Sequence, residues 1–249
     1  MIFTLRAIFG MLGIQAAITI IFYSDQLLRV LLGMHPKSPF RRIFGARLDL
    51  WQFPSIWGSF TAVLDHGLAG FWGIWWHQTF RVAFTGPTVW LRRAGWVSAH
   101  TRTGQVAIGV FLAFAQSSAL HAAGGFTSLP RRSSTWWWAP ATFFLLSGVG
   151  MLVQRQIVLA LGTRATQAPL WARRAANLVF TAVWLLLTQW ALIDDLCHSA
   201  IWLYEPVPIS PLRAMGFGQP GDGWLRWADA DLFPRWHMGK HWWQIGFAL

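Results

Sequence analysis

Four long runs without a charge constrain this chain more than any other feature. Eighteen uncharged residues separate Arg6 from Asp25, 28 separate Arg102 from Arg131, 22 separate Arg132 from Arg155 and 19 separate Arg174 from Asp194. A helix needs about 20 mostly apolar residues to cross a hydrocarbon core, where its backbone groups can bond only to one another. The runs therefore predict four spanning helices, at about 5–32, 105–127, 136–157 and 176–203. The first continues through Leu27, Leu28, Val30, Leu31 and Leu32 without a small-residue cleavage site, so it is expected to be a retained helix. The expected fold class is all-α: a polytopic membrane helix bundle of about four spanning helices plus interfacial or re-entrant helices. Residues 1–249 are expected to form a single membrane-embedded domain.

Charge agrees with that reading. Only 12% of residues are charged, against about 25% in soluble domains, which excludes a disordered chain and disfavours a soluble enzyme. The net charge of +11 would point to nucleic acid if it formed a patch with a recognition motif. No such motif is present, and the Arg residues flank the apolar runs instead, where they set topology and attract anionic headgroups. The expected partner is the lipid bilayer and not nucleic acid. Two Arg-rich segments, 35–103 and 154–175, fall on one side after four crossings, the cytosolic side by the positive-inside rule. One cysteine, Cys197, excludes an intrachain disulfide.

Trp occurs 19 times and Tyr twice, and Trp favours sites with one apolar and one wet edge. Much of it lies in 35–103 (Trp51, Trp57, Trp72, Trp75, Trp76, Trp90, Trp96), among short apolar pieces broken by Pro36, Pro39, Pro54 and Pro87. This segment reads as interfacial or re-entrant helices in the headgroup layer. The tail, 204–249, reads as a Pro/Gly-rich connector leading to amphipathic interfacial pieces.

Two constellations carry chemistry. His121 lies inside the second run, and an ionisable residue in a spanning helix is costly enough to mark a functional site. Ser117 and Ser118, at i−4 and i−3, share its face. Either hydroxyl could fix the imidazole tautomer and leave the other nitrogen as a base, while Gly124 and Gly125 leave room for a substrate. The plainer alternative is a core histidine bonded to a neighbouring helix. In the second constellation, a helix through 70–81 would stack Gly73, His77 and Arg81 on one face. Arg81 could hold a phosphate and Trp72, Trp75, Trp76 and Phe80 an apolar substrate; the alternative is an interfacial anchor helix. Lesser candidates are His66 paired with Asp65, and His198 with Asp194, Asp195 and Cys197. His237 and His241 share one helical face but have no third ligand, so no metal is expected.

The stretch Phe71-Trp72-Gly73-x-x-Trp76-His77-Gln78-x-x-Arg81 resembles the signature of wax-synthase-like proteins of the membrane-bound O-acyltransferase superfamily. Ser117-Ser118-Ala119-Leu120-His121 resembles that family's second motif. Tyr204-Glu205-Pro206-Val207-Pro208 is similar to the C-terminal region of fungal members. The resemblance runs from about residue 30 to the end. It departs from the family pattern at Ile74-Trp75, where Arg is usual, and in a shorter stretch before the first motif.

It implies acyl transfer from an acyl-CoA, acetyl-CoA in fungal acetyltransferase-type members, to the hydroxyl of a lipophilic terpenoid or polyketide alcohol. Plant-type members instead make long-chain wax esters. By position, His121 matches the motif histidine and His77 its polar partner. Arg81, with Arg92 or Arg93, would meet the phosphates of CoA, and Trp72 and Trp76 would wall the site. The family implies an integral, multi-pass protein of the endoplasmic reticulum with acyl-CoA as co-substrate and no bound cofactor. A non-catalytic polytopic scaffold or carrier, and a haem protein with axial histidines, are the competing classes.

Overall fold

The computed structural model describes residues 2–33, 37, 39, 55–98, 100–128, 136, 138–198, 210–217, 223–225, 235–241 and 245–248. The fold is an all-α polytopic bundle, and among the described residues four helices are long and apolar enough to cross a membrane. They are α1 (Ile2–Gly33), α5 (Arg102–Ser128), α6 (Ala139–Leu161) and α8 (Leu170–Thr188). Between α1 and α5 come α2 (Thr61–His66), the single turn α3 (Leu68–Gly70) and α4 (Arg81–Arg93). The short α7 (Thr163–Gln167) joins α6 to α8, and α9 (Trp190–His198) and the turn α10 (Pro211–Ala214) follow.

The first three match the predicted spans 5–32, 105–127 and 136–157 to within about a turn at each end. The fourth does not run unbroken to residue 203: it starts earlier, at Leu170, and breaks at Gln189 before resuming as α9. Gln189 is buried, and its N–H still bonds Leu185 while its carbonyl takes Leu192 and Ile193. The regular helix is therefore interrupted there without orphaning the backbone. In the tail, Arg235–His237 (β1) pairs antiparallel with Gly246–Ala248 (β2). His237 is thus in a strand, so the helical face it was expected to share with His241 does not apply.

Long-range bonds fix how the elements run. Arg174 donates to Asp65 at 2.7 Å, tying the start of α8 to α2. Arg155 donates to Thr103 at 3.4 Å, tying α6 to the start of α5. The two Arg-rich segments therefore meet at one end of the bundle, as counted crossings require. At the other end Arg6 of α1 pairs with Asp194 of α9 at 3.1 Å. The guanidinium of Arg174 holds the Asp65 carboxyl below its ordinary range, chiefly through their hydrogen bond. The hydrogen-bonded ion-pair partner of Asp65 is thus Arg174.

Residues 55–93 form a re-entrant segment. Trp57 donates its indole N–H to Thr19 at 3.0 Å, and Thr19 lies about 21 Å along α1 from Gly33. Phe80 touches Phe22 of the same helix. The returning limb, α4, runs antiparallel to α5: Gln116 donates to the Phe84 carbonyl at 3.1 Å, and Thr88 packs on Gly109. Trp57, Trp72, Trp75 and Trp76 pack around Val63, Leu68 and Phe71, with Met11, Ile14 and Ile18 of α1 against them. Trp76 is buried and Trp57, Trp72 and Trp75 are half-buried against this cluster, which corrects their reading as headgroup anchors. That reading fits the exposed Trp90, Trp96, Trp136 and Trp171 instead.

Candidate functional site

The deep turn of the re-entrant segment carries the first motif, and it is not one helix. After α3 the chain widens into a π-helical turn, Phe71–Trp75, closed by a bond from the Trp76 N–H to the Phe71 carbonyl at 2.7 Å. Trp76 is extended (φ −69°, ψ 134°), and a short 3₁₀ turn, Gln78–Phe80, leads into α4. Non-helical backbone survives at membrane depth only where the protein satisfies it. Here Ile56–Gly58 runs alongside: Gly58 N–H bonds Trp75 O at 3.0 Å and Gln78 N–H bonds Ile56 O at 2.8 Å. The Gln78 side chain caps the Trp76 carbonyl at 2.7 Å. Gly58 has to be glycine for this approach, because a Cβ there would overlap the Ile74 carbonyl.

The break at Trp76–His77 overturns the expected single face. Gly73 lies in the π turn, His77 in the bend and Arg81 at the start of α4. Gly73 faces open space. Arg81 stays exposed at the His77 end of α4, 3.4 Å from the Gln78 amide oxygen. Arg92 and Arg93 are at the opposite end, about 17 Å along the helix. Arg81 and the Arg92/Arg93 pair therefore cannot clasp one phosphate together.

His77 is packed by Trp57, Trp76 and Phe80, with ring centroids 6.4, 5.8 and 5.7 Å away. Its Nδ1 is buried and has no hydrogen-bond partner among the described residues. Trp76 is buried against Phe71, the two rings stacked 13° from parallel, and serves the core of the segment. Trp72 meets Phe114 of α5 and Phe143 and Phe144 of α6 edge to face or tilted, at 5.7 to 5.9 Å.

The second motif sits across this aromatic cluster on α5. His121 Nδ1 lies 2.8 Å from the carbonyl oxygen of Ser117. A carbonyl only accepts, so Nδ1 carries the proton, and in the neutral ring Nε2 keeps its lone pair. The tautomer is set by the backbone of Ser117, not by a serine hydroxyl. The Ser118 hydroxyl instead donates across to the Ala141 carbonyl of α6 at 3.0 Å, which ties the two helices beside the site. Phe144 stacks on the His121 ring at 3.9 Å. A Cβ at Gly124 would meet nothing, so that position leaves open space one turn beyond the histidine.

The structure thus brings His77, Trp72 and His121 into one cluster and leaves Arg81 at its edge. Three contributors escape the motifs. Phe144, touching both Trp72 and His121, carries no signal in sequence. Gln154 and Asn177 do: they are uncharged polar residues within apolar spans. Gln154 accepts from the Leu68 N–H at 2.9 Å and donates to Asn177 at 3.0 Å, and Asn177 donates to the Leu64 carbonyl at 2.8 Å. Together they hold the descending limb of the segment. The side chains of Cys197 and His198, and Tyr204 and Glu205, lie outside the described residues.

Residues 51–146, which include His77, Arg81 and His121, match the model of the Membrane bound O-acyl transferase family. That stretch is similar to the family, and the four apolar spans support a multi-pass membrane protein. No curated protein and no solved structure matches the chain.

Proposed function

We propose that this protein transfers an acyl group, acetyl in the first instance, from an acyl-CoA to the hydroxyl of a lipophilic alcohol of the terpenoid or polyketide kind. The observation that carries the reading is the bond from His121 Nδ1–H to the Ser117 carbonyl. It leaves Nε2 as a proton acceptor inside a spanning helix, within the stretch that matches the acyltransferase family. The alcohol gives its proton to Nε2 as its oxygen attacks the thioester carbonyl carbon. The carbonyl π pair moves to oxygen, and the tetrahedral adduct collapses with loss of the C–S bond. The thiolate takes the proton back from the imidazolium, giving an ester and free CoA. A positioned base of this kind contributes about 10²–10⁴-fold.

His77, whose buried Nδ1 has no partner among the described residues, orients the thioester and helps to stabilise the developing oxyanion. Arg92 and Arg93, exposed at the basic end of the bundle, meet the CoA phosphates. Arg81, placed beside His77, contributes along the donor's path. The aromatic cluster keeps water from the thioester. Residence in the endoplasmic reticulum, with the basic end cytosolic, follows from the wax-synthase-like motif and the Arg distribution.

The test is expression in a heterologous host and mass spectrometry for a product heavier by one acetyl or longer acyl group. His121→Ala in membranes carrying the protein is expected to abolish product at unchanged protein level. Retained product formation would remove His121 from the chemistry. A folded wild-type chain that transfers no label from any acyl-CoA would return the protein to the scaffold class.

A further inference from the structure

Trp72 has an indole N–H that the fold buries and does not use. Among the described residues its Nε1 is buried without a hydrogen-bond partner, whereas Trp57 donates to Thr19 and Trp184 donates to the Leu146 carbonyl, each at 3.0 Å. A buried Trp N–H ordinarily finds an acceptor. The ring is not loose: Phe71, Trp76, Phe114, Phe143 and Phe144 all contact it at centroid distances of 5.0 to 6.0 Å, and Phe143 is fully buried. Phe144 also stacks on His121 at 3.9 Å. A packed, buried donor therefore belongs to a ring that shares the Phe144 contact with His121, the residue that takes the alcohol's proton.

We infer that Trp72 is a catalytic residue whose Nε1–H donates to the thioester carbonyl oxygen as that oxygen becomes negative. The inference rests on the acyl-transfer reading and assigns Trp72 a chemical role in place of an apolar wall. In the step, the alcohol oxygen forms its bond to the carbonyl carbon while His121 Nε2 takes the proton. The π pair goes to the oxygen facing Trp72, and when the C–S bond breaks the pair returns and the thiolate recovers the proton from His121. An indole N–H donates in every protonation state, while a neutral imidazole donates from one nitrogen only. The surrounding rings supply the low dielectric in which such a donor acts most strongly, and it needs no reorganisation during the reaction.

Trp72→Phe removes the N–H and keeps an aromatic ring. In the purified full-length protein in lipid nanodiscs, with acetyl-CoA and farnesol as probes, kcat is expected to fall about 10²-fold with KM for acetyl-CoA little changed. Trp184→Phe, which also deletes a buried indole N–H, is expected to lower thermal stability and leave kcat within about threefold. A binding measurement keeps the inference testable without turnover. A trifluoromethyl ketone analogue of acetyl-CoA, whose hydrate is tetrahedral, is expected to bind the wild type more tightly than the thioether analogue does. That preference is expected to shrink about tenfold in Trp72→Phe. If His121→Ala abolishes transfer but folded Trp72→Phe keeps both kcat and the ketone preference, the acyl-transfer reading stands and Trp72 is only packing. If the wild type neither turns over the thioester nor binds either analogue, both readings fall.

Discussion

His77 and His121 are held in different ways. At His121 the backbone carbonyl of Ser117 fixes the proton on Nδ1. At His77 no described residue bonds Nδ1, and the rings of Trp57, Trp76 and Phe80 hold the imidazole by packing. The difference has a measurable consequence. His77→Leu removes both ring nitrogens and orphans no described partner of Nδ1, so thermal unfolding in nanodiscs is expected to stay within about 1 kcal/mol of the wild type. Acyl transfer is expected to fall by about tenfold or more. Unchanged transfer in the folded variant would place His77 outside the chemistry.

Among the elements, the re-entrant segment depends on a clamp. Gly67 adopts φ +61°, a conformation strained for any side chain, and a Cβ there would overlap the Gln154 amide. Gly67→Ala is expected to cost about 1–3 kcal/mol, and Gln154→Leu, which orphans the buried Leu68 N–H, a similar amount of about 1–3 kcal/mol. Because the two positions meet, the double variant is expected to lose less than the separate losses imply, by at least about 0.5 kcal/mol in a double-mutant cycle of unfolding free energies. Strict additivity would mean that the clamp is not one unit.

The clamp also explains what could be read from sequence. The four spans were legible because hydropathy between charges is a property of the chain itself. The end of the π turn at Trp76 was not, because the sequence has no proline or glycine at 76 or 77 and the break is held by bonds from Ile56 and Gly58, some 20 residues earlier. His121 was legible as an ionisable residue in an apolar run. The acceptor that sets its tautomer was not, since a backbone carbonyl leaves no mark in composition. For the same reason Trp72 read as lining: whether an indole is satisfied depends on its neighbours in space.

For the whole molecule, the Asp65–Arg174 and Arg155–Thr103 contacts put the starts of α5 and α8 and the end of α6 at one end of the bundle, and Arg6–Asp194 marks the other. Single cysteines placed at 92, 164 and 136 in a Cys197→Ala background test this directly. Those at 92 and 164 are expected to react with an impermeant maleimide from the same side of sealed vesicles, and the one at 136 only from the opposite side. Labelling of 92 and 136 from one side would overturn the four-crossing arrangement. The clamp has a further bearing on how the protein is made. The segment that carries His77 and Trp72 leaves the ribosome well before Gln154, Arg174 and Asn177, the residues that hold its descending limb. Its own hydropathy does not drive it across the bilayer, so it must wait at the interface until α6 and α8 are inserted. Synthesis arrested before residue 177 would leave α1 and α5 in the membrane with the two histidines still apart, and the site would be completed among the last events of assembly.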